Sequence, residues 1–548
     1  MKKVTRLFAF TTILVGTSTA SLAGLGVTFV NNDHLPTMAV PDPTDPDTIY
    51  TVGRYGKLKT LKNFEYLPLE ESFAVLPPAM LATGGERAVN SLTFSPNYVS
   101  DGKCYISYCR AGDGANVIAE YQRSESNPYQ IDLGTARTIM IIPNSEPFHY
   151  GGGAKFGPDG CLWVFKGDGE NDPSSQDPTL LNGKILRIDP FTDDFPLDPE
   201  RNYGIPADNP FLDGNPVSGP AEAVHFGFRN PWRWCWDEPS RGGSGALLIG
   251  DVGADSWEEI NFIPAKAMGL NFGWPHFEGS QPFQTHVPLA FEPAVHPIAQ
   301  FPHPDFRAVV GGPIYRGLGL GIEMYGRYFY ADVITQKVYS AKLTFGDYGD
   351  SAVMSDIINH TPELLAYSNP LGQIWSMDVD SEGELLIVGA NRVYKVFSDS
   401  LTTPRSINVG IEFSDLASVE ARPSYVTVTV EKLGFSVSFQ ASPNAIGEFR
   451  IPLTSGKQTV RVKCGTFLSE HTSVDTGGNY SPKIDFSLVN GDANGDDSID
   501  IADFSLLSAA FGSSLGDPGY QRNADLDGDG EVGIADYAII SANYGESR

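Results

Sequence analysis

Residues 24–398 repeat one short pattern, in which a turn rich in Gly, Pro, Asn or Asp is followed by alternating apolar residues. Pro158-Asp159-Gly160 before Cys161–Phe165 is one example, and Ser381-Glu382-Gly383 before Glu384–Val388 is another. Short strands separated by turn signals predict a mainly β fold, either a sandwich or a propeller. Repetition over about 370 residues favours a propeller, because a single sandwich is complete well before that length.

The chain has 548 residues and a formal charge of −29 at pH 7. Such an acidic protein is repelled by nucleic acid and by anionic membrane surfaces, which excludes both as expected partners. The excess is uneven, because residues 491–548 hold 12 Asp or Glu against 2 Arg. The length predicts about two to four domains with at least one large core.

Residues 1–23 have the pattern of a secretory signal peptide. Three basic residues precede an apolar run from Leu7 to Val15, and Ser21-Leu22-Ala23 has the small residues of a cleavage site. A membrane anchor is the alternative, but the run is shorter than the roughly 20 residues that a spanning helix needs. We therefore expect a soluble protein that is extracellular, periplasmic or on the cell surface, with no membrane span.

Two further segments follow the repeated pattern. Residues 399–404 predict a linker, since Pro404 ends any strand. Residues 405–489 contain four alternating runs separated by Gly and Pro, and these predict a small β-sandwich. This segment resembles the carboxypeptidase-regulatory-like modules of surface proteins, and we expect it to serve as a spacer or packing module.

Two acidic loops, 33 residues apart, occupy residues 490–548. Oxygen-bearing side chains at loop positions 1, 3, 5 and 12, and at position 9 of the first loop, suit calcium. The predicted ligands are Asp492, Asn494, Asp496, Asp500 and Asp503 in the first loop, and Asp525, Asp527, Asp529 and Asp536 in the second. A solvated acidic tail is the alternative, but two loops in register favour calcium.

With Asp at position 12 and no helix before either loop, this segment resembles a type I dockerin. The resemblance implies a small α-helical calcium-binding domain and a cohesin-like or cell-surface partner. Asp497 stands at position 6, where such loops have Gly; we expect calcium binding to survive, because Asp tolerates left-handed backbone. Ile501-Ala502 and Ile534-Ala535 stand where dockerins usually place polar residues that contact the partner.

Eight short motifs follow one another between His149 and Gly279. They are His149-Tyr150-Gly151-Gly152, Phe156-Gly157-Pro158-Asp159-Gly160, Gly167-Asp168, Gly183-Lys184-Ile185-Leu186-Arg187, Ala207-Asp208-Asn209-Pro210, Arg229-Asn230-Pro231-Trp232, Glu258-Glu259-Ile260-Asn261 and Asn271-Phe272-Gly273-Trp274-Pro275. In this order and spacing they closely resemble the glucose/sorbosone dehydrogenase family. The resemblance implies a six-bladed β-propeller that uses pyrroloquinoline quinone and calcium.

The resemblance also implies roles for single residues. In the enzymes of this family a histidine takes the proton of the anomeric hydroxyl while hydride passes to the quinone. His149 matches this base, and Asp168 matches the carboxylate that orients it. Arg229 and Asn230 match the pair that reaches the quinone oxygens, and Glu86 falls where a polar residue lies near the substrate. From the residues alone, a structural histidine and an arginine that pins a loop remain alternatives.

A calcium segment is implied at Gly253, Ala254, Glu258 and Glu259. Backbone carbonyls and carboxylates there would supply an oxygen shell, and a calcium ion next to the cofactor would polarise the quinone. For the two glutamates, a solvated turn is the alternative.

Several positions depart from the family pattern. The quinone is a tricarboxylate, so its site needs several cations. Ile334 stands where the enzymes supply a lysine, and Ile374-Trp375-Ser376-Met377 stands where they supply arginines. The segment Gly312-Pro313-Ile314-Tyr315-Arg316-Gly317 resembles the subgroup related to hedgehog-interacting proteins, and Arg316 would supply one charge to a cofactor.

Two functional hypotheses follow. The first is an exported, quinone-dependent aldose sugar dehydrogenase that oxidises the anomeric hydroxyl of an aldose or oligosaccharide and carries a dockerin-like tail. The second is a non-catalytic propeller that binds a glycan or a protein, with the tail setting its location. A hydrolase is a third class, but no paired carboxylates in the repeated segment point to one.

Overall fold

The computed structural model describes residues 24–32, 34–368, 370–398, 405–432, 435–477 and 483–548. The predicted signal peptide, residues 1–23, and the predicted linker, residues 399–404, lie outside the described residues. The structure is mainly β, with 43% strand and 8% helix, which confirms the predicted class. In the described part of the chain, no helix is both long and apolar enough to cross a membrane.

Twenty-eight strands lie between residues 24 and 398 of the described chain. The first ten are β1 (Leu25–Asn31), β2 (Pro36–Pro41), β3 (Thr48–Gly53), β4 (Lys57–Lys62), β5 (Glu65–Tyr66), β6 (Ala74–Val75), β7 (Val89–Phe94), β8 (Lys103–Cys109), β9 (Asn116–Arg123) and β10 (Ile131–Ile142). The next eleven are β11 (Gly153–Phe156), β12 (Leu162–Lys166), β13 (Lys184–Ile188), β14 (Ala223–Phe226), β15 (Pro231–Trp236), β16 (Leu247–Asp251), β17 (Trp257–Ile263), β18 (Leu270–Asn271), β19 (Phe277–Glu278), β20 (Gln281–Pro282) and β21 (Ala299–Pro302). The last seven are β22 (Val309–Ile314), β23 (Arg327–Asp332), β24 (Lys337–Phe345), β25 (Ala352–Asn359), β26 (Ile374–Val379), β27 (Leu385–Gly389) and β28 (Arg392–Ser398). Two short helices, α1 (Tyr98–Asp101) and α2 (Thr361–Leu365), interrupt them.

These strands form six sheets of four or five strands within the described residues, besides the small β19–β20 pair. The strand orders are β2-β3-β4-β5 with β6 beside β4, β10-β9-β8-β7, β11-β12-β13-β14-β18, β15-β16-β17-β21, β22-β23-β24-β25 and β26-β27-β28-β1. Neighbouring strands are antiparallel, except that β14 and β18 are parallel. The turns fit the sequence pattern: Gly160 between β11 and β12 has φ 79°, a conformation that favours glycine.

The six sheets are arranged in a ring. Near their first strands, consecutive sheets touch through the pairs β2–β7, β7–β11, β12–β15, β15–β22 and β22–β26, and β26 touches β2. Strand β1 pairs with β28, from Leu25 opposite Ser398 to Asn31 opposite Arg392, so the start of the chain completes the last sheet. Strands such as β12 are buried along their whole length, because neighbouring sheets cover both faces. We call residues 24–398 the six-sheet ring.

Seven more strands follow, and we call them the seven-strand unit. They are β29 (Arg405–Phe413), β30 (Val426–Lys432), β31 (Phe435–Ala441), β32 (Glu448–Leu453), β33 (Lys457–Cys464), β34 (Phe467–Asp475) and β35 (Lys483–Leu488). Their orders are β32-β29-β35 and β31-β30-β33-β34, and buried residues alternate with exposed ones along β33. Ile322 and Tyr325 of the ring join the core of this unit, so the two parts pack against each other.

The C-terminal tail contains helices α3 (Ile501–Ala510) and α4 (Ile534–Asn543). Leu507 of α3 and Ile540 of α4 share one apolar cluster with Leu526, between the helices. Leu468 of the seven-strand unit belongs to the same cluster. The tail is therefore packed on the preceding unit through apolar side chains.

Candidate functional site

His149 and Asp168 lie at the same edge of the third sheet. His149 precedes β11 and Asp168 follows β12, and these strands are antiparallel, with Gly153 opposite Phe165. The hairpin therefore brings its two open ends together. His149 has φ 54°, a left-handed conformation that is uncommon for a bulky residue and that recurs at functional sites.

The two side chains are in direct contact. His149 Nδ1 lies 2.6 Å from Asp168 Oδ1, and the Asp168 side chain is 0% exposed. Trp274 Nε1 donates a hydrogen bond of 2.8 Å to Asp168 Oδ2. Because a carboxylate only accepts, Nδ1 carries a proton, which leaves Nε2 of a neutral ring as an acceptor. This arrangement orients Nε2 as a base or as a partner for a ligand hydroxyl.

Glu86 and Asn230 reach the His149 loop from neighbouring parts of the ring. The backbone N–H of His149 donates to Glu86 Oε2 at 2.8 Å, and Asn230 Nδ2 lies 3.3 Å from the same oxygen. Asn230 Oδ1 accepts a hydrogen bond of 3.0 Å from the backbone of Gly151. His149, Asp168, Glu86 and Asn230 thus form one connected group, which we call the His149 cluster.

Arg229 lies beside this cluster, but much of its guanidinium is engaged by the protein itself. Nη1 donates to the carbonyl of Val252 at 3.0 Å, and the guanidinium lies 5.6 Å from the centre of the Trp274 ring. Nε of Arg229 is buried and has no hydrogen-bond partner among the described residues. Arg229 therefore holds the segment of Val252 through Nη1, and its buried Nε is left without a partner among the described residues.

Two buried lysines hold the loops of the cluster, and sequence reasoning missed them. Lys166 Nζ donates to the carbonyl of His149 at 3.2 Å and to Asn144 Oδ1 at 2.7 Å. Lys184 Nζ donates to the carbonyl of Ser174, in the loop after Asp168, at 2.9 Å. Burial lowers the pKa of Lys166 to about 8 and the pKa of Lys184 to about 7. The sequence feature that could have identified these two lysines is a charged residue at the end of each of two apolar strands, β12 and β13.

A cavity of about 260 Å³ lies beside the His149 cluster. Glu86 and Asn230 belong to its wall, together with Phe148. Much of the remaining wall is apolar and contains Trp232, Trp375, Val252, Ala308, Val309, Val333 and Ile334. Among the described lining residues, Arg54 is the only cation and Glu86 the only carboxylate.

The lining of this cavity does not fit pyrroloquinoline quinone. A tricarboxylate that leaves water needs several cations in contact with it. Ile334 and Trp375 line the cavity as apolar groups, and the sequence resemblance sets Ile334 and the segment containing Trp375 against cations of the family enzymes. Arg54 faces Trp375, with its guanidinium 5.7 Å from the ring centre, and is a single charge. The described lining therefore leaves the carboxylates of this cofactor largely unpaired.

Arg316 lies away from the cavity, where the ring meets the seven-strand unit. Its guanidinium forms a buried bidentate ion pair with Asp237, with bonds of 2.9 and 3.0 Å. Nη1 also donates to the carbonyl of Gln440 in β31 at 2.9 Å. The expectation that Arg316 supplies a charge to a cofactor is therefore corrected, because its charge is paired with Asp237 within the ring and its Nη1 is bonded to the seven-strand unit.

The predicted calcium segment connects β16 to β17. Gly253 donates its backbone N–H to Glu258 Oε2 at 3.2 Å, and Ala254 donates to Glu278 Oε1 at 2.8 Å. Glu258 Oε1 lies 2.7 Å from His303 Nε2. Both oxygens of Glu258 are therefore engaged by protein donors, which makes it a poor calcium ligand in this arrangement.

Glu259 belongs to a second group of buried oxygen atoms. It lies opposite Asp251 in the β16–β17 pair, and Asn261 Nδ2 donates to it at 3.2 Å. Asn261 Oδ1 is buried without a hydrogen-bond partner among the described residues. Burial, with nearby carboxylates, raises the pKa of Glu259 to about 7 and the pKa of Asp251 well above its usual range. Backbone N–H groups donate to both of these carboxylates, as they do to Glu258, so the unpaired amide oxygen is the feature that suits a calcium ion here.

The second acidic loop of the tail has its carboxylates gathered together. Oxygens of Asp525, Asp527 and Asp529 lie within 4.8 Å of one another. Asp536, in the first turn of α4, accepts from the backbone N–H of Leu526 at 2.6 Å and so closes the loop. Burial raises the pKa of Asp527 and of Asp536, and neighbouring carboxylates add to the effect. This donor set fits calcium.

The first acidic loop is closed by the same kind of hydrogen bond as the second loop, but it differs from the second loop in two ways. Asp503 of α3 accepts from the backbone N–H of Asn494 at 3.0 Å, as Asp536 does in the second loop. Asp500 accepts from the backbone N–H of Ala502 at 2.7 Å and so caps α3 through Oδ1, whereas Gly533 at the same position of the second loop has no side chain to do so. Asp497 has φ 65°, the left-handed conformation for which glycine is the usual residue.

Sequence comparison relates two segments of the chain to known families. A sequence model of the glucose/sorbosone dehydrogenase family matches residues 42–343, more than half of the 548 residues. The chain belongs to this family. Residues 490–543 match the dockerin type I domain, so both resemblances inferred from the motifs are confirmed.

Two curated relatives belong to the hedgehog-interacting type. The HIPL2 protein of Arabidopsis thaliana is 30% identical over 346 residues, which are 55% of this chain and 48% of that protein. The human Hedgehog-interacting protein is 34% identical over 166 residues, which are 28% of this chain and 23% of that protein. The chain thus spans about half, or less, of the length of these relatives.

A solved structure supports the fold. The PQQ-bound aldose sugar dehydrogenase from Streptomyces coelicolor matches with a TM-score of 0.51 and 21% sequence identity, over 69% of this chain and 99% of that one. At this identity the match shows a shared, propeller-like fold, and fold alone does not determine chemistry.

Proposed function

We propose that the six-sheet ring is a six-bladed β-propeller spanning residues 24–398, in which each sheet is one blade. The seven-strand unit is then a β-sandwich spacer at residues 405–489, and residues 490–548 are a calcium-folded dockerin-type tail. The pairing of β1 with β28 and the propeller-like fold of the structural relatives support the first assignment.

We further propose that the propeller binds a saccharide in the cavity beside His149 and does so without a quinone. The observation that carries this proposal is the wall of the cavity, where Ile334 and Trp375 stand at the positions of the cofactor's cations. A largely apolar wall with one carboxylate, one cation and two amides is unfavourable for a tricarboxylate but suits a neutral, hydroxyl-rich ligand.

The size of the cavity supports the same ligand class. Its volume of about 260 Å³ is below the range of roughly 300–1,000 Å³ that is usual for small-molecule sites. That space suits a single sugar ring better than a quinone with a sugar against it.

The chemistry of the wall can recognise such a ring. Trp232 and Trp375 lie edge to face, with ring centroids 6.4 Å apart, and offer flat apolar surfaces for the C–H face of a sugar. Glu86, Asn230 and Gln373 of the wall are partners for hydroxyl groups. The ligand class is therefore an aldose or the terminal unit of an oligosaccharide.

The quinone-dependent aldose sugar dehydrogenase is the second candidate, and the His149–Asp168 contact favours it. A histidine oriented by a buried carboxylate is suited to take a proton from an anomeric hydroxyl. The unused Nε of Arg229 is a donor that a ligand could occupy. This candidate requires cations that the described cavity lining does not supply.

The tail would attach the exported protein to a cohesin-like or cell-surface partner. The dockerin match supports this role, and calcium in both loops would hold the two helices in place. Ile501 and Ile534, at the starts of α3 and α4, are 63% and 76% exposed. Two exposed isoleucines at equivalent positions predict that the contact with the partner is apolar.

Calorimetric titration with glucose and with cellobiose tests the saccharide site. We expect saturable binding of at least one of them, and about tenfold weaker binding by Trp375→Ala, because a lost aromatic contact costs roughly 0.5–1.5 kcal/mol beyond area burial. Trp236→Ala is the matched control, since Trp236 is at the other end of β15 from Asn230 and outside this cavity. Equal affinities for the wild type and Trp375→Ala would refute the assignment of the cavity.

A further inference from the structure

A lysine of the sandwich contacts the first acidic loop of the tail. Lys463 lies in β33, and its Nζ is 2.5 Å from Asp492 Oδ2 and 2.9 Å from Asp497 Oδ1. The same Nζ donates to the carbonyl of Phe467 at 2.8 Å. Asp492 is position 1 of the loop, and its side chain is 0% exposed. Three acceptors therefore fix one ammonium group beside a predicted calcium ligand.

The second loop has a neutral donor at the corresponding oxygen. Asp525 Oδ2 accepts from the Tyr520 hydroxyl at 2.6 Å and from the backbone N–H of Gly530 at 3.0 Å. Asp492 Oδ2 accepts the equivalent backbone bond, from Asp497, at 2.9 Å. The two loops thus share their backbone contacts and differ in the charge next to position 1.

The unusual residue at position 6 belongs to the same contact. Asp497 Oδ1 accepts from Lys463 and also from the backbone N–H of Ser469 in β34, at 2.9 Å. Glycine has no side chain for either bond. The departure from the loop pattern therefore fastens the first loop to the sandwich.

We propose that Lys463 is a built-in cation of the first loop, which holds that loop on the sandwich and lowers its affinity for calcium. The inference rests on the proposed calcium-binding tail. An ammonium group on one oxygen of Asp492 repels a divalent ion on the other, whereas the Tyr520 hydroxyl exerts no such repulsion. The second loop therefore fills with calcium first.

The contact also links calcium to the position of the tail. If the ammonium weakens calcium binding, calcium in the first loop weakens the ammonium contact by the same factor. Filling of the first loop thus loosens the tail from the sandwich, whereas filling of the second loop does not.

Calorimetric titration of the calcium-free full chain with calcium tests the proposal. Asp525→Asn with Glu259→Gln disables the other two proposed calcium sites, so that the first loop is observed alone. In that background we expect Lys463→Met to bind calcium roughly tenfold more tightly, because one repulsive charge is removed. Lys463→Arg keeps the charge and should leave the affinity within about twofold. In a chain with an intact second loop, Tyr520→Phe should not tighten that loop.

Hydrogen exchange gives a second readout that needs no variant. In the unaltered chain, we expect the Ser469 amide to exchange faster once calcium fills the first loop. Unchanged or weaker calcium binding by Lys463→Met, or a Ser469 amide that calcium protects, would overturn the role of Lys463 while leaving the calcium-binding tail in place. A wild-type tail that binds no calcium would overturn both.

Discussion

At the scale of single residues, Lys166 and Lys184 are opposite each other in β12 and β13, and their ammonium groups hold the loops that carry His149 and Asp168. A buried ammonium is costly unless its donors are satisfied, and here backbone carbonyls satisfy them. The position of the His149–Asp168 pair therefore depends on charges that touch neither the cavity nor a ligand.

Lys184 makes the free energy of unfolding depend on pH, and the sign of this dependence follows from its lowered pKa. Its pKa falls to about 7 in the folded state, so between about pH 7 and 10 the unfolded chain binds the extra proton and the free energy of unfolding rises with pH. Lys184→Met removes this term. We expect the stability advantage of the wild type over Lys184→Met to grow by about 2 kcal/mol from pH 6 to pH 9. Chemical denaturation in excess calcium measures the difference.

The exposed Lys457, in β33, supplies the control. Lys457→Met should differ from the wild type by a nearly constant amount over the same pH range, because an exposed ammonium is solvated in both states. If the difference for Lys184→Met is also constant with pH, then the buried lysine is not the source of the effect.

Sequence reasoning worked at residue scale where neighbours along the chain decide the geometry. His149 and Asp168 flank one hairpin, so their contact followed from the turn and the two strands. Arg316 was misplaced because a motif does not show which way a side chain points, and the partners of Arg316, Asp237 and Gln440, are distant in sequence. Trp274 was noticed as part of a motif, but its bond to Asp168 joins separate loops.

At the scale of elements, too, structure within one short segment was predictable from the sequence, and contacts between distant segments were not. The turn at Pro158-Asp159-Gly160 and the alternating residues after it predicted the β11–β12 hairpin, and the acidic loops predicted the starts of α3 and α4. The parallel pairing of β14 with β18 had no local signal, because 43 residues separate Phe226 from Leu270. Packing of the seven-strand unit on the ring could likewise not be predicted from the sequence, since it depends on contacts between distant segments.

The buried ion pair of Arg316 and Asp237 joins the segments that follow β22 and β15, two strands of neighbouring sheets of the ring. We expect Arg316→Met to destabilise the protein by about 3–5 kcal/mol, because it leaves the Asp237 carboxylate buried without its partner. Asp237→Asn combined with Arg316→Met should recover part of this loss, since no unpaired charge remains. Denaturation curves of the wild type and of these two variants test the assignment.

Saccharide affinity separates this structural role from the one that the family resemblance implied. Arg316 is not part of the cavity wall, so Arg316→Met should bind glucose or cellobiose as the wild type does, provided that it folds. If Arg316→Met lost saccharide affinity while its stability was unchanged, Arg316 would belong to the binding site after all.

At the scale of the whole molecule, we propose that the chain combines a recognition site, a spacer and an attachment tail. Membership of the glucose/sorbosone dehydrogenase family accounts for the fold and for the preserved His149–Asp168 contact. The cavity wall is largely apolar and includes Ile334 and Trp375, which is why we propose that its ligand is not the quinone. A family can keep its fold while its binding site changes, and this chain is interpreted in that way.

Titration of the purified protein with pyrroloquinoline quinone in excess calcium, followed by absorbance, tests this account most directly. The account predicts no saturable binding of the quinone by a preparation that still binds glucose or cellobiose in the calorimeter. Saturable binding, followed by bleaching of the oxidised quinone when an aldose is added, would contradict it. That result would establish a sugar dehydrogenase with His149 as the base.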